Sequence, residues 1–326
     1  MLPSHNRFRY APITDRPDFS WPEGRRLAVY VALCVEHFAY GSGLGLAYSP
    51  GLSHPNSYNW GWREYGNRVG GFRLKDLFDE EGLPLSVLLN SECYEHCPDL
   101  VAAFRARGDE IVAHGRTNSE HQNGMAVDDE RVLIRAVADA IRVNEGRAPG
   151  GWMSPGAHPS ASTEDLLAGE GFRYTLDWPI DDQPVWMKTK SGPLLSVPYP
   201  HEVNDVPMIV LHDGTGQAFA DMAIDNFDEM LRQSEKQPLV YGITIHTFIV
   251  GQPFRLRQFR VRMGDEGGFH DLGRLAQLPG RTEQATGNSG GRHQRGGQTH
   301  GFQRPFTGEV RLLMFQFQRL GGEDHG

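Results

Sequence analysis

Short apolar runs alternate with amphipathic stretches over most of the first 260 residues. Leu27–Val35 and Leu239–Ile245 are almost entirely apolar, which is typical of strands buried on both faces. Asp128–Glu145 instead repeats its apolar residues at helical spacing and stops before Gly146, so it predicts an amphipathic helix. Strands that alternate with helices predict a parallel sheet joined by right-handed crossovers.

The other predicted elements continue this alternation. Further strands are expected at Pro84–Asn90, Asp109–His114, Gly151–Ser154, Phe172–Leu176, Leu194–Val197 and Met208–Leu211. Further helices are expected around Leu74–Phe78, at Pro98–Arg107 and at Asp221–Gln237. Seven or eight strands favour a barrel over an open sheet, and the last strand then closes against the first.

Polar residues follow several of the predicted strands directly. Glu36 and His37 follow the first strand, His114 follows the third and His246 follows the last. The carboxyl ends of parallel strands are where the active sites of α/β folds lie. Repeated polar strand ends therefore predict one shared catalytic face. The long loop Phe38–Gly61 could cover that face and exclude water.

Three regions are expected along the chain. Residues 1–22 form a polar extension, residues 23–260 form the barrel, and residues 261–326 form a tail rich in Gly, Gln, Arg and His. The tail is native, disordered or the product of a shifted reading frame, three alternatives that stay open. Arg255–Arg260 could instead begin a helix that closes the barrel.

Composition narrows the functional classes. Hydrophobic residues make up 39% of the 326 residues, the net charge is −9, and no cluster of Lys and Arg stands out. We therefore expect a small-molecule substrate, and neither nucleic acid nor membrane as a partner. The first residues lack the apolar core of a signal peptide, so a cytoplasmic protein with reduced thiols is expected. Cys93 and Cys97 lack the second ligand pair of a structural zinc site.

The order and spacing of six segments resemble the NodB-type polysaccharide deacetylase superfamily, and within it the allantoinase-like (PuuE-like) branch. These segments are Val35–His37, His114–Asn118, Gly151–Pro155, Asp177–Trp186, Pro198–Asp205 and Ile245–Arg255. The resemblance implies a deformed (β/α)7 TIM-like barrel that hydrolyses a carbon–nitrogen bond outside peptides. Homo-oligomers are common in the superfamily, and assembly of this chain stays open.

The resemblance also implies roles for particular residues. Glu36 stands at the position of the general base and His246 at that of the general acid. His37 stands at a metal-ligand position and His114 matches the first histidine of a metal-binding pair, but Asn118 replaces the second. The allantoinase-like branch also lacks the full ligand set, so no cofactor is expected. The alternative is one divalent metal such as zinc, held by His37 and His114.

The residues themselves leave simpler interpretations open. Glu36 could be a glutamate in a surface turn, although a carboxylate beside an aromatic loop can have its pKa raised toward the range of a base. His246 could be a histidine bonded to a neighbouring carbonyl. Hydrolysis of an amide needs a base for water, an acid for the leaving nitrogen and a donor for the oxyanion. Glu36 and His246 supply the first two.

A wider set of side chains is expected to bind the substrate: His114, Asn118, Trp152, Asp181, Asp182, Trp186, Asn204 and Asp205. Asp181 and Asp182 could bind urea-like N–H groups or orient His246, but two aspartates near a proline are also typical of a turn. Trp152 and Trp186 could form a wall for a flat ring, or belong to the core.

The sequence thus predicts a hydrolase of a small cyclic amide, ureide or imide. One alternative is a metal-dependent carbohydrate N-deacetylase, which would need the full ligand set. Another is a binding protein without catalysis on the same barrel. Retention of Glu36 and His246 favours an enzyme.

Overall fold

The computed structural model describes residues 5–41 and 44–265, so the predicted tail beyond residue 265 lies outside the described residues. Eight strands form one sheet: β1 (Leu27–Val35), β2 (Ser86–Leu89), β3 (Glu110–Ala113), β4 (Gly151–Trp152), β5 (Tyr174–Thr175), β6 (Val185–Thr189), β7 (Gly192–Ser196) and β8 (Leu239–His246). Eight α-helices surround it: α1 (Ser57–Tyr65), α2 (Gly71–Glu80), α3 (Cys93–His96), α4 (Pro98–Arg107), α5 (Val127–Glu145), α6 (Thr163–Gly169), α7 (Gly216–Ser234) and α8 (Pro253–Arg260). No helix in these ranges is long and apolar enough to cross a membrane.

The sheet curls into an incomplete barrel. Its strand order is β6-β7-β5-β4-β3-β2-β1-β8, and all neighbours are parallel except β6 and β7. The last strand pairs with the first over its whole length, from Leu27 opposite Leu239 to Cys34 opposite His246. The predicted closure of the last strand on the first, and the deformed barrel fold, are confirmed. No further strand pairs with the outer edge of β8 in the described residues. The backbone N–H of Val240 instead donates to the carbonyl oxygen of Asp182.

The pleat of β1 sorts its side chains into two cores. Its odd-numbered residues, such as Leu33 and Val35, pack against the helices. Its even-numbered residues, such as Tyr30 and Cys34, fill the barrel interior together with Leu88, Val112 and Val240. Because strand side chains alternate between faces, the residues two positions beyond these interior residues continue into the barrel mouth.

One predicted strand is wrong and one strand is missed. Met208–Leu211 lies in a short π-helical segment, Val206–Leu211, which begins with Pro207 near its first position. Proline fixes a helical φ angle, and a short apolar run cannot distinguish a strand from a helix. The missed strand is β6, which pairs antiparallel with β7 in a hairpin. Its polar residues concealed it.

Close backbone packing positions the loop after β8. Helices α1 and α2 are joined by a π-helical segment, Gly66–Gly70. A Cβ atom on Gly70 would overlap the carbonyl oxygen of Thr247, directly after His246. Only glycine allows this approach of a helix to the loop.

Replacing Gly70 with alanine tests this packing. We expect Gly70→Ala to lower the free energy of unfolding by about 1 to 3 kcal/mol, because the added methyl group must displace backbone. The matched control is Gly61→Ala in α1, where a Cβ meets nothing within 4 Å. Higher helix propensity should stabilise that variant by about 0.5 to 1 kcal/mol. Equal effects of the two variants in urea unfolding would contradict the account.

Candidate active site

The interior faces of three strands deliver polar side chains to the barrel mouth. Glu36 follows Cys34 on β1, His114 follows Val112 on β3, and His246 ends β8 opposite Cys34. Period-two alternation places all of these side chains on the interior face. Each is at least nine-tenths buried: Cys34 is 1% exposed, Glu36 4% and His246 7%.

Glu36 lies between the two histidines. Its Oε1 is 3.3 Å from Nε2 of His114 and 3.6 Å from Nε2 of His246. The side chain of Asn118 also faces the Glu36 carboxylate and lowers its pKa. The structure thus brings together the predicted base, the predicted acid and two predicted substrate-binding residues.

Asp205 fixes the orientation of His246. One of its carboxylate oxygens lies 2.6 Å from Nδ1 of His246, and the other accepts the backbone N–H of His246 at 2.8 Å. Asp205 is fully buried and reaches His246 from the segment that bridges Asn204 to Thr244 of β8. It therefore orients the imidazole, a role that the sequence offered to Asp181 or Asp182.

The hydrogen bonds determine which ring nitrogens carry protons. Nδ1 of His114 lies 2.8 Å from the carbonyl oxygen of Met153, which can only accept. Nδ1 of His246 faces the Asp205 carboxylate, which is also an acceptor when it is ionised. Both histidines therefore carry a proton on Nδ1 and point Nε2 toward Glu36. An ionised Glu36 between two bare nitrogens would be repelled, so a proton is required on one of them.

The charges place that proton on His246. Burial lowers the pKa of His246. Cys34 and the carboxylates of Asp205 and Glu36 raise it by more than burial lowers it, so the pKa lies well above 6.5. Burial raises the pKa of Glu36, yet His246 and His114 lower it more, so its net direction is down. The expected rise in the pKa of Glu36 is therefore wrong. The resting site holds a carboxylate beside an imidazolium.

A residue that the sequence analysis missed lies beside this pair. Arg63, on α1, is buried, and its charge interacts with that of Glu36. Its guanidinium stacks 4.3 Å above the ring of Phe38 and donates to the carbonyl of Leu46. It ties the predicted covering loop to the barrel mouth. Arg63 lies three residues before a glycine-rich segment of the helix. No pattern in the sequence identified it as a residue of this site.

His37 points away from the predicted metal site. Its ring stacks at 3.8 Å on His96 of α3, and its Nε2 faces Glu92 at 3.6 Å. Burial lowers its pKa to about 4, so it is neutral near pH 7. As an odd-numbered residue, it faces outward from the barrel, whereas His114 faces inward.

The described residues contain two clusters of three metal-binding side chains whose ligand atoms all lie within 4.8 Å of one another. One is Cys34, Glu36 and His246, and the other is His37, Glu92 and His96. Neither joins His37 to His114, so these two residues do not fit the metal-binding pair that the resemblance implies. Asn118, at the position of the second histidine, donates its backbone N–H to His37 and directs its side chain to Glu36.

The predicted tryptophan wall is not formed at this mouth. Trp152 is fully buried in the core between sheet and helices, where it packs edge-on against Phe172. It occupies the outward face of β4, because its neighbour Met153 faces the interior. Trp186 projects from β6, the sheet edge opposite β8, and is 46% exposed.

The predicted aspartate pair lies in a separate cleft. Asp181 forms an ion pair with Arg16 at 2.5 Å and accepts the backbone N–H of Gln183, which is turn chemistry. Asp182 and Tyr199 line a cleft of about 490 Å3 at the barrel seam. Asn204 stabilises the neighbouring turn by accepting the backbone N–H of Val206.

Comparisons with known proteins agree with this fold. A predicted polysaccharide deacetylase of Schizosaccharomyces pombe is 28% identical over 213 residues, which cover 60% of this chain and 66% of that protein. A peptidoglycan deacetylase of Helicobacter pylori is 24% identical over 225 residues, covering 58% of this chain and 74% of that one. This chain is related to the polysaccharide deacetylases. The match spans just under two thirds of the yeast protein. No family model matches the chain.

Solved structures share the fold of this chain. A predicted polysaccharide deacetylase from Pseudomonas aeruginosa PAO1 superposes with a TM-score of 0.71 at 24% identity, covering 80% of this chain and 89% of that one. The PuuE allantoinase superposes with the same TM-score and identity, covering 82% and 96%. These structures confirm the fold, and the two sequence relatives agree with the superfamily that the sequence motifs indicated.

Removing the charge of Asp205 should destabilise the fold in a pH-dependent way. The pKa of His246 is raised in the folded state, so its imidazolium stabilises the fold below pH 6.5, and this contribution is lost as pH rises through the raised pKa. We expect Asp205→Asn to cost about 3 to 5 kcal/mol of unfolding free energy at pH 6. The cost should shrink at alkaline pH.

Urea unfolding at several pH values measures this effect. The control is Asp139→Asn, which removes an exposed partner of Arg142 and should cost at most about 1 kcal/mol. A cost for Asp205→Asn that does not change with pH would show that the pair is not an ion pair.

Proposed function

We propose that this chain hydrolyses a carbon–nitrogen bond of a small cyclic amide, ureide or imide. The observation that carries the proposal is the pair of Glu36 and His246, whose Oε1 and Nε2 lie 3.6 Å apart. The lowered pKa of Glu36 leaves it ionised to accept a proton, and the raised pKa of His246 leaves it protonated to donate one. Both groups therefore rest in the protonation states that hydrolysis needs.

Each step of the reaction has a residue for it. Glu36 takes a proton from water as the oxygen attacks the substrate carbonyl carbon. The side-chain N–H groups of Asn118 can donate to the oxyanion that develops there. His246 then gives its Nε2 proton to the leaving nitrogen, the carbon–nitrogen bond breaks, and Asp205 holds the ring in place. The proton on Glu36 returns to Nε2 of His246, which restores the resting pair.

Carbohydrate N-deacetylation is the second candidate. Two relatives carry the names of a polysaccharide and a peptidoglycan deacetylase, and release of acetate from an N-acetyl group also breaks an amide bond between a carbonyl carbon and a nitrogen. The same base and acid would serve that reaction. The cyclic substrate is preferred because the metal-binding pair His37 and His114 is not joined in the described residues.

A substrate panel tests the proposal. Allantoin, hydantoins, cyclic imides and N-acetylated sugars are each assayed for ring opening or acetate release, with and without a strong chelator. Turnover of a cyclic amide that resists the chelator supports the proposal. Acetate release that the chelator abolishes and zinc restores supports metal-dependent deacetylation instead. Absence of turnover from folded protein favours a binding protein on this barrel.

Replacement of Glu36 tests its role as the base. Glu36→Gln keeps the shape but cannot accept a proton, so we expect kcat to fall by about 10² to 10⁴-fold while the substrate still binds. Binding is followed by calorimetry. Glu95→Gln, on the exposed face of α3, is the control and should retain the wild-type rate. A rate for Glu36→Gln within a few-fold of wild type would refute the assignment.

A further inference from the structure

Cys34 belongs to the buried cluster at the barrel mouth, yet the proposed hydrolysis does not use it. The register of β1 and β8 sets it directly opposite His246, and the pleat sets it on the same face as Glu36. Its Sγ lies within 4.8 Å of a ring nitrogen of His246, and His246 lowers the pKa of the thiol. The proposed acid–base chemistry therefore leaves Cys34 without a role.

We propose that Cys34, Glu36 and His246 form a binding site for a thiophilic divalent cation such as Zn²⁺ or Cd²⁺. Their ligand atoms all lie within 4.8 Å of one another. A tetrahedral zinc ion with usual bond lengths separates its ligand atoms by roughly 3.4 to 3.6 Å. The 3.6 Å between Oε1 of Glu36 and Nε2 of His246 already matches this spacing.

The surroundings of His246 also suit a metal ligand. Histidines that bind metals usually donate their second ring N–H to a carboxylate or a backbone carbonyl, which fixes the ring and frees the other nitrogen. Nδ1 of His246 is held by Asp205 in this way, so Nε2 faces the cluster. Thiolate, imidazole and carboxylate together form a donor set that suits zinc and cadmium.

Cys34 and His246 could instead suggest a cysteine nucleophile, since Cys34, His246 and Asp205 follow one another as in a cysteine–histidine–aspartate triad. Burial of the thiol argues against that role, because Cys34 is 1% exposed and burial raises its pKa. A nucleophile needs thiolate character and access to the substrate. A bound cation, in contrast, displaces the thiol proton itself.

Occupancy of this site would inhibit the proposed hydrolysis. A cation bound to Oε1 of Glu36 and Nε2 of His246 takes both the base and the acid out of the reaction. The cluster shares no residue with the pair His37 and His114, so it is distinct from the metal site that the sequence resemblance implied. Only this inhibition rests on the proposed function, whereas binding itself does not.

Titration of the full chain with Cd²⁺ tests the site without an activity assay. A cadmium–thiolate bond adds a charge-transfer absorption in the ultraviolet, which should saturate at one equivalent of Cd²⁺. We expect Cys34→Ser to lose this absorption and to weaken binding by at least about tenfold. Cys34→Ala is a second variant, and circular dichroism verifies that both variants fold.

Cys97→Ser is the matched control. Cys93 and Cys97 are the other two cysteines and lie one helical turn apart, with Cys97 partly exposed. The control should keep the absorption and the affinity of wild type. Loss of the absorption in Cys97→Ser, with retention in Cys34→Ser, would place the ion at the other pair and overturn the proposal. No absorption in the wild-type protein would also overturn it.

Inhibition is then measured with the substrate that the panel identifies. Zn²⁺ at the concentration that saturates binding should abolish turnover in wild type. Inhibition of Cys34→Ser should need a Zn²⁺ concentration at least about tenfold higher, since the weakened site binds less metal. Binding without inhibition would leave the cation site standing and contradict Glu36 as the base. The two outcomes therefore separate the failure of this site from the failure of the proposed function.

Discussion

The candidate active site depends on one buried imidazolium held between two carboxylates. Asp205 binds Nδ1 of His246 at 2.6 Å, and Glu36 lies 3.6 Å from its Nε2. Burying three ionisable groups is costly unless their charges compensate one another. Compensation here leaves Glu36 ionised and His246 protonated, so the electrostatic balance that makes the site tolerable in the fold also prepares it for acid–base chemistry.

Strand geometry explains why these residues meet despite the distance between them in sequence. Parallel pairing of β1 with β8 brings positions 34 and 246 opposite each other, and the pleat turns every second side chain inward. Close contact between Gly70 and Thr247 then fixes the loop after β8. Precise positioning of His246 thus begins with backbone packing outside the site.

Much of this arrangement could be predicted from the sequence. Long apolar strands, polar strand ends and the order of the motifs indicated the barrel, Glu36 and His246. The direction of individual side chains was harder to predict than the strands, because an offset of one residue moves a side chain to the opposite face of the sheet. That offset puts Trp152 in the outer core and turns His37 toward His96 rather than His114. Contacts made by Arg63 and Asp205 depend on the tertiary fold, so local patterns could not assign their roles.

Nuclear magnetic resonance of the 15N-labelled histidine side chains tests the resting ion pair most directly. Comparison with His246→Gln assigns the signals of His246 among the 14 histidines. We expect both ring nitrogens of His246 to carry protons at pH 7, and Nε2 to lose its proton only at a pH above the ordinary value of 6.5. An unprotonated Nε2 at pH 7 would contradict the resting ion pair, because His246 could not then act as the acid.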